Sequence, residues 1–109
     1  MGLIVHEIAQ EMISEIKPLI DSVAEHDGEL AKQLRKSASS VPLNICEGAY
    51  NHKGNSRSRF HTAAGSAAET RSALRVAESW GYIARGSASE VDAKLDRILG
   101  MLWGLTRRR

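Results

Sequence analysis

The sequence predicts an all-α fold: an antiparallel up-and-down four-helix bundle with kinks in helices 1 and 2. Three observations lead there. Apolar residues recur at spacings of three and four in four separate segments. Glycine-bearing and polar clusters punctuate the gaps between those segments. Only five aromatic residues and few β-branched runs are present, which suits an aliphatic, alanine-rich helical core and gives no strand pattern. A chain of 109 residues is the size of one domain, read here as residues 1–109. The helices are expected over about 3–25, 29–50, 55–80 and 87–106.

The first helix rests on Val5, Ile8, Met12, Ile16, Leu19 and Val23, with Ile4, Ile13 and Ile20 widening the stripe. Pro18 lies inside it and should kink it, because proline supplies no amide to the carbonyl four residues back. The apolar stripe continues on both sides, so the helix is not split. Its width exceeds what one bundle core needs and hints at contact with another subunit. His26, Asp27 and Gly28 form the first turn. Gly28 suits a left-handed cap and Asp27 a turn start.

The second helix carries Leu34, Ala38, Val41, Ile45 and Ala49 on one face, with Pro42 at its centre. The apolar phase is unbroken across the proline. One kinked helix is therefore expected, with Ser39 or Ser40 satisfying the freed Ala38 carbonyl. Two short helices joined at Ser40 are the alternative. Asn51 to Gly54 makes the next corner. Asn55 or Ser56 can cap the third helix, whose middle, Ala63 to Ala68, has almost no bulk. Gly65 there favours a closely approaching neighbour, since glycine inside a helix otherwise costs about 1 kcal/mol. Gly81 sits where a C-terminal cap belongs, and Trp80, Tyr82 and Ile83 can fold back over the bundle end. Ser87 or Ser89 opens the fourth helix, Ser87 having capping-box spacing to Glu90. Its stripe is Val91, Leu95, Ile98, Leu102 and Leu105. Trp103 lies off that stripe and is the candidate intersubunit anchor.

The stretch QLRKSASSVPLNICEG, Gln33 to Gly48, resembles the signature of a bacterial four-helix-bundle family named after proteins encoded in intervening sequences of ribosomal RNA genes. That family includes relatives of the accessory protein of diversity-generating retroelements. AAGSAAETRSALRVAESWGYI and LDRILGMLWGL are similar to its third and fourth helices, so the resemblance covers nearly the whole chain. Leu43, Cys46 and the glycine- and serine-rich segment Asn51 to Phe60 depart from the pattern. The resemblance implies a ring- or barrel-like homopentamer that binds nucleic acid, an accessory to a reverse transcriptase or another RNA-handling system.

Charge is segregated. Residues 1–31 sum to −6, residues 32–75 to +6 and residues 76–109 to +2. Such a distribution concentrates positive potential on the middle helices, and RNA or DNA is the natural partner. The candidate nucleic-acid-binding residues are Lys32, Arg35, Lys36, Lys53, Arg57, Arg59, Arg71 and Arg75. Serine and asparagine interleave with them while aromatics do not, which points to phosphate contacts rather than base stacking. Neutralisation by an adjacent acidic first helix is the competing reading. Glu47 and Glu69 are the two acids of the basic segment, and each can pair with Arg35, Lys36, Arg71 or Arg75 across facing helices. With Gln33, Ser39 and Asn44 they are expected to form a structural polar layer.

Catalysis is not expected. His6, His26, His52 and His61 lie on different elements without metal-ligand spacing. Cys46 is read as a small buried hydrophobe beside Ile45. Phosphate-binding glycine loops are absent. Arg57 and His61 are too close in sequence for the motif of helical ribonuclease toxins. No cofactor, metal or small-molecule substrate is expected. One cysteine permits no intrachain disulfide, and with no secretory or membrane-spanning segment the chain reads as cytoplasmic. A protein–protein scaffold docking an acidic partner without nucleic acid is the alternative function.

Overall fold

A computed structural model of the chain describes residues 3–50 and 54–107. Four helices follow one another: α1 (Leu3–Ala24), α2 (Gly28–Ala49), α3 (Ser56–Trp80) and α4 (Ser89–Thr106). The principal packing pairs are α1 with α2, α2 with α3, α3 with α4, and α4 back onto α1. That closed circuit of chain neighbours is the four-helix bundle, measuring 43 × 22 × 19 Å.

The core is aliphatic. Met12, Ile16, Leu34, Val41, Ile45, Leu95, Ile98 and Leu102 are fully buried, and each large side chain contributes about 1.5–3 kcal/mol by leaving water. On α1 the buried line runs Val5, Ile8, Met12, Ile16, Ile20 and Val23, with Leu19 half-buried, so Ile20 takes the place expected for Leu19. Both residues lie at helical spacing from Ile16 and from Val23, so periodicity alone does not choose between them, and the structure buries Ile20. Both prolines sit inside continuous helices. Pro42 is buried. Ser40 does not turn back to the carbonyl that this proline frees: its Oγ lies 2.7 Å from Ser66 Oγ on α3 and accepts from Asn44 Nδ2 at 2.9 Å.

The helix ends follow local chemistry. Asp27 is the N-cap of α2, its carboxylate accepting from the Leu30 amide at 3.0 Å. Gly28 is therefore the first residue of the helix rather than a left-handed cap. Gly81, at φ 82°, closes α3: its amide donates to the Glu78 carbonyl and the Tyr82 amide to Ala77. Asn55 precedes α3 but makes no side-chain cap bond, and α4 starts at Ser89 behind Ala88. The expected box of Ser87 and Glu90 does not form, because the Ser87 hydroxyl donates to the Ala84 carbonyl at 2.6 Å within the turn.

Close helix approach occurs, but at Gly48 rather than Gly65. A Cβ on Gly48 would lie 2.6 Å from Phe60 Cε1, whereas one on Gly65 would meet nothing within 4 Å. Gly65 points to the exposed side of α3 while Ala63 and Ala67 supply its thin inner face. Gly48 holds the core position expected for Ala49, which is half-buried. Gly48→Leu drives a side chain into the Phe60 ring. It should lower stability by about 1–3 kcal/mol, read as the shift in the urea midpoint. Its cost should not add to that of Phe60→Ala, because the two share one contact.

Candidate nucleic-acid interface

The cations of α2 make no ion pair with a carboxylate among the described residues. Lys32, Arg35 and Lys36 are exposed, and none has an ion-pair partner within 4.0 Å among the described residues. Arg57, in the first turn of α3, is exposed and equally unpaired among the described residues. The acids of α1 do not neutralise this segment. Glu15 accepts from Lys94 of α4 at 2.7 Å, with Glu11 4.0 Å away, and Asp21 pairs with Lys17 of its own helix. The Glu15 bond raises the Lys94 pKa and outweighs the opposing effect of burial. The first helix is thus fastened to the fourth, and the charges of the second are left outside.

The remaining candidates are divided. Arg35 lines a groove between α1 and α2 together with Ile13, Lys17, Asp21 and Ser39, without an ion pair to Asp21 within 4.0 Å. Arg71 and Arg75 line a different groove, between α3 and α4, with Glu78, Ser89 and Asp92. The eight expected contacts therefore do not make one patch. Arg71 is committed within the molecule. Its Nε and Nη2 donate to the two oxygens of Asp92 at 2.8 and 3.0 Å, and its Nη1 to Asp96 at 3.1 Å. Arg59 reaches Asn44 Oδ1 at 3.3 Å and Glu47 at 3.7 Å. Lys53 lies outside the described residues, as do His52, Arg108 and Arg109.

The polar layer between α2 and α3 is built from hydroxyls, not carboxylates. Thr70 Oγ1 lies 2.9 Å from Ser37 Oγ and donates to the Ser66 carbonyl at 2.8 Å, while Ser40 meets Ser66. Asn44 joins this layer through its bond to Ser40. Gln33, Glu47 and Glu69 do not. All three are exposed, and Glu69 has no ion pair among the described residues. Hydroxyls bury with one or two hydrogen bonds apiece, and a carboxylate in the same narrow seam would carry a far larger desolvation cost. Ser66 and Thr70 stand four apart facing Ser37 and Ser40, a spacing visible in the sequence. So is that of Asp92 and Asp96 opposite Arg71, the acidic pair that the sequence reading missed.

Cys46 is exposed, one step round the helix from buried Ile45. Among the described residues no three His, Cys, Asp or Glu side chains gather as a metal ion would require. No helix is long and apolar enough to cross a membrane. Trp103 is 61% exposed, with the Arg107 guanidinium 5.4 Å above its ring. It lines a shallow α3–α4 groove with His61, Ala64, Leu99 and Gly100.

The Arg71 hydrogen bonds hold the Asp92 carboxyl below its ordinary range. Burial opposes them, and the charges of Arg71 and Arg75 add to them. A depressed carboxyl stabilises the fold above its unfolded pKa of about 3.9, and that contribution is lost as pH falls through the lowered value. Asp92→Asn should therefore cost about 0.5–1 kcal/mol at neutral pH, after screening of a partly exposed pair. It should also flatten the fall in melting temperature below about pH 4, measured by circular dichroism.

None of the curated proteins matches the chain. Among solved structures, a crystal structure at 1.70 Å from Bacteroides thetaiotaomicron aligns with a TM-score of 0.85, over 95% of this chain and 99% of that one, at 20% identity. It is described as a protein with unknown function from the S23 ribosomal protein family, and at that identity the likeness speaks for the fold alone. The family described as 23S rRNA-intervening sequence protein matches residues 1–104. Four amphipathic helices, the α2 signature and this match along almost the whole length agree: the chain belongs to the 23S rRNA-intervening sequence protein family.

Proposed function

We propose that this chain is a non-enzymatic, homo-oligomeric accessory protein that holds RNA or DNA by its phosphates along the cationic face of α2. The observation that carries the reading is the group Lys32, Arg35 and Lys36: three bases within five residues of one helix, exposed and without carboxylate partners among the described residues. Unpaired cations on a rigid element attract polyanions by releasing the counterions of the phosphates. Arg57 extends the set onto α3. Arg71 does not belong to it, because Asp92 and Asp96 already occupy its donors.

Exposed large apolar side chains support the oligomeric part. Ile4 on α1, Leu43 on α2 and Trp103 on α4 all lie open to solvent in the single subunit, and tryptophan in particular anchors protein interfaces. Five subunits is the number that the family resemblance implies. A ring would repeat each weak phosphate contact and raise avidity. A reverse transcriptase or another RNA-handling enzyme is the protein that such an accessory would serve, in a reducing cytoplasm that suits a chain with one cysteine.

Retention of a labelled oligonucleotide should fall about 20- to 150-fold between 50 and 200 mM salt if three or four phosphates are neutralised. Arg35→Glu combined with Lys36→Glu should lower affinity at least about tenfold at fixed salt with an unchanged melting temperature. Salt-independent retention, or full retention by that double variant, would refute the phosphate interface. An acidic protein captured after nuclease treatment would instead favour a scaffold. Trp103→Ser should shift sedimentation to a smaller species. A wild-type chain that sediments as a single subunit would remove the oligomer from the reading.

A further inference from the structure

Three rings line up at the end of the bundle where α1 meets α2 and α3 meets α4. His26, in the α1–α2 turn, stacks on Tyr82 with ring centroids 5.2 Å apart and planes 7° from parallel. Trp80, the last residue of α3, stacks on the same Tyr82 at 6.4 Å and 18°. The middle ring is fixed from both sides of the chain. The Tyr82 amide donates to the Ala77 carbonyl, its carbonyl accepts from Ser22 Oγ at 3.1 Å, and Ile83 beside it is buried. Trp80 nevertheless remains 69% exposed, and Val76, one turn back on the same face of α3, is exposed as well. A large indole held on an ordered platform and left in water contributes little to the monomer's own core.

The local charge selects the occupant. Residues 21–31 contain four acids and no base, and residues 76–84 contain Glu78 and no base. Asp21 is paired with Lys17, Asp27 is engaged in capping α2, and Glu78 accepts from the Gly86 amide. Glu25 and Glu29 are exposed and have no base within 4.0 Å among the described residues. The nearest bases in sequence are Lys32, a turn further along α2, Arg75, five residues before Trp80 on α3, and Arg85 in the α3–α4 connection. This end is the negative counterpart of the α2 face, and a phosphate chain is repelled where a cation is drawn in. Guanidinium is the cation that meets both features, since its plane stacks on indole while its edge donates to carboxylate.

We infer that the Trp80–Tyr82–His26 end docks an arginine-bearing segment of a protein partner, the guanidinium lying on the Trp80 indole with Glu25 and Glu29 as counter-charges. The surface adjoins the cationic α2 face, Glu29 standing one turn before Lys32, but is opposite to it in sign, so it stands whether or not that face holds nucleic acid.

The test uses the full chain and a fluorescein-labelled hexa-arginine peptide, followed by anisotropy. Trp80→Ala and the pair Glu25→Gln with Glu29→Gln should each raise the dissociation constant about tenfold without loss of oligonucleotide retention. The glutamine pair lies at exposed positions and carries the test independently of any packing lost in Trp80→Ala. No peptide binding by the wild type, or equal binding by either variant, would overturn the inference. So would a Trp80→Ala chain that keeps the peptide but loses the oligonucleotide, which would make the indole a platform for a nucleobase.

Discussion

The bundle depends on how closely α2 and α3 can approach. Their shared seam is made of small groups: Gly48 under the Phe60 ring, Ser37 against Thr70, Ser40 against Ser66, and Ala63 and Ala67 on the inner side of α3. Small residues bring the backbones near, and near backbones let short hydroxyls span the gap with hydrogen bonds. A bulky apolar side chain at any of these sites would separate the helices, and an ionised one would demand water the seam cannot hold. Everything charged on α2 is consequently displaced to the other side of the helix. The cationic face is as much a product of this packing as of the lysines and arginines themselves.

Charge is then sorted by helix pair. Lys94 and Glu15 join α4 to α1, and Arg71 with Asp92 and Asp96 joins α3 to α4. Both fastenings use α4, which supplies a base to one and two acids to the other. α2 contributes Glu47 to Arg59 at 3.7 Å between exposed side chains, a weak tie. The sequence segregates acids to the first quarter and bases to the middle. The fold keeps the two apart by spending the carboxylates of α1 on its own Lys17 and on α4, with the far acids left at the His26 turn.

The fold was legible because the apolar spacing in all four segments is strong, and because Gly81 sits where a C-terminal cap belongs. What was harder to read has a common cause. Leu19 and Ile20, Ile45 and Cys46, and Gly48 and Ala49 are adjacent pairs, and a hundred degrees of helix rotation decides which one enters the core. Neighbouring residues of similar size leave that choice to tertiary contacts. At the candidate interface, clustering in sequence was mistaken for clustering in space. Arg35 and Arg71 belong to different grooves, and only the pairing of Arg71 with the i, i+4 acids of α4 reveals it. Glu47 and Glu69 looked like buried partners because they were the minority sign in a basic segment, yet hydroxyls already filled the seam.

The seam between α2 and α3 joins elements adjacent along the chain, across a connection of six residues between Ala49 and Ser56. Contacts so local lose little chain entropy on closing, so this hairpin can form without waiting for α4. During synthesis it can assemble as soon as Trp80 has left the ribosome, whereas Glu15 of α1 must wait for Lys94 to emerge before their ion pair can close. The part of the molecule that bears the bare cations can therefore take shape before the α1–α4 fastening closes the bundle.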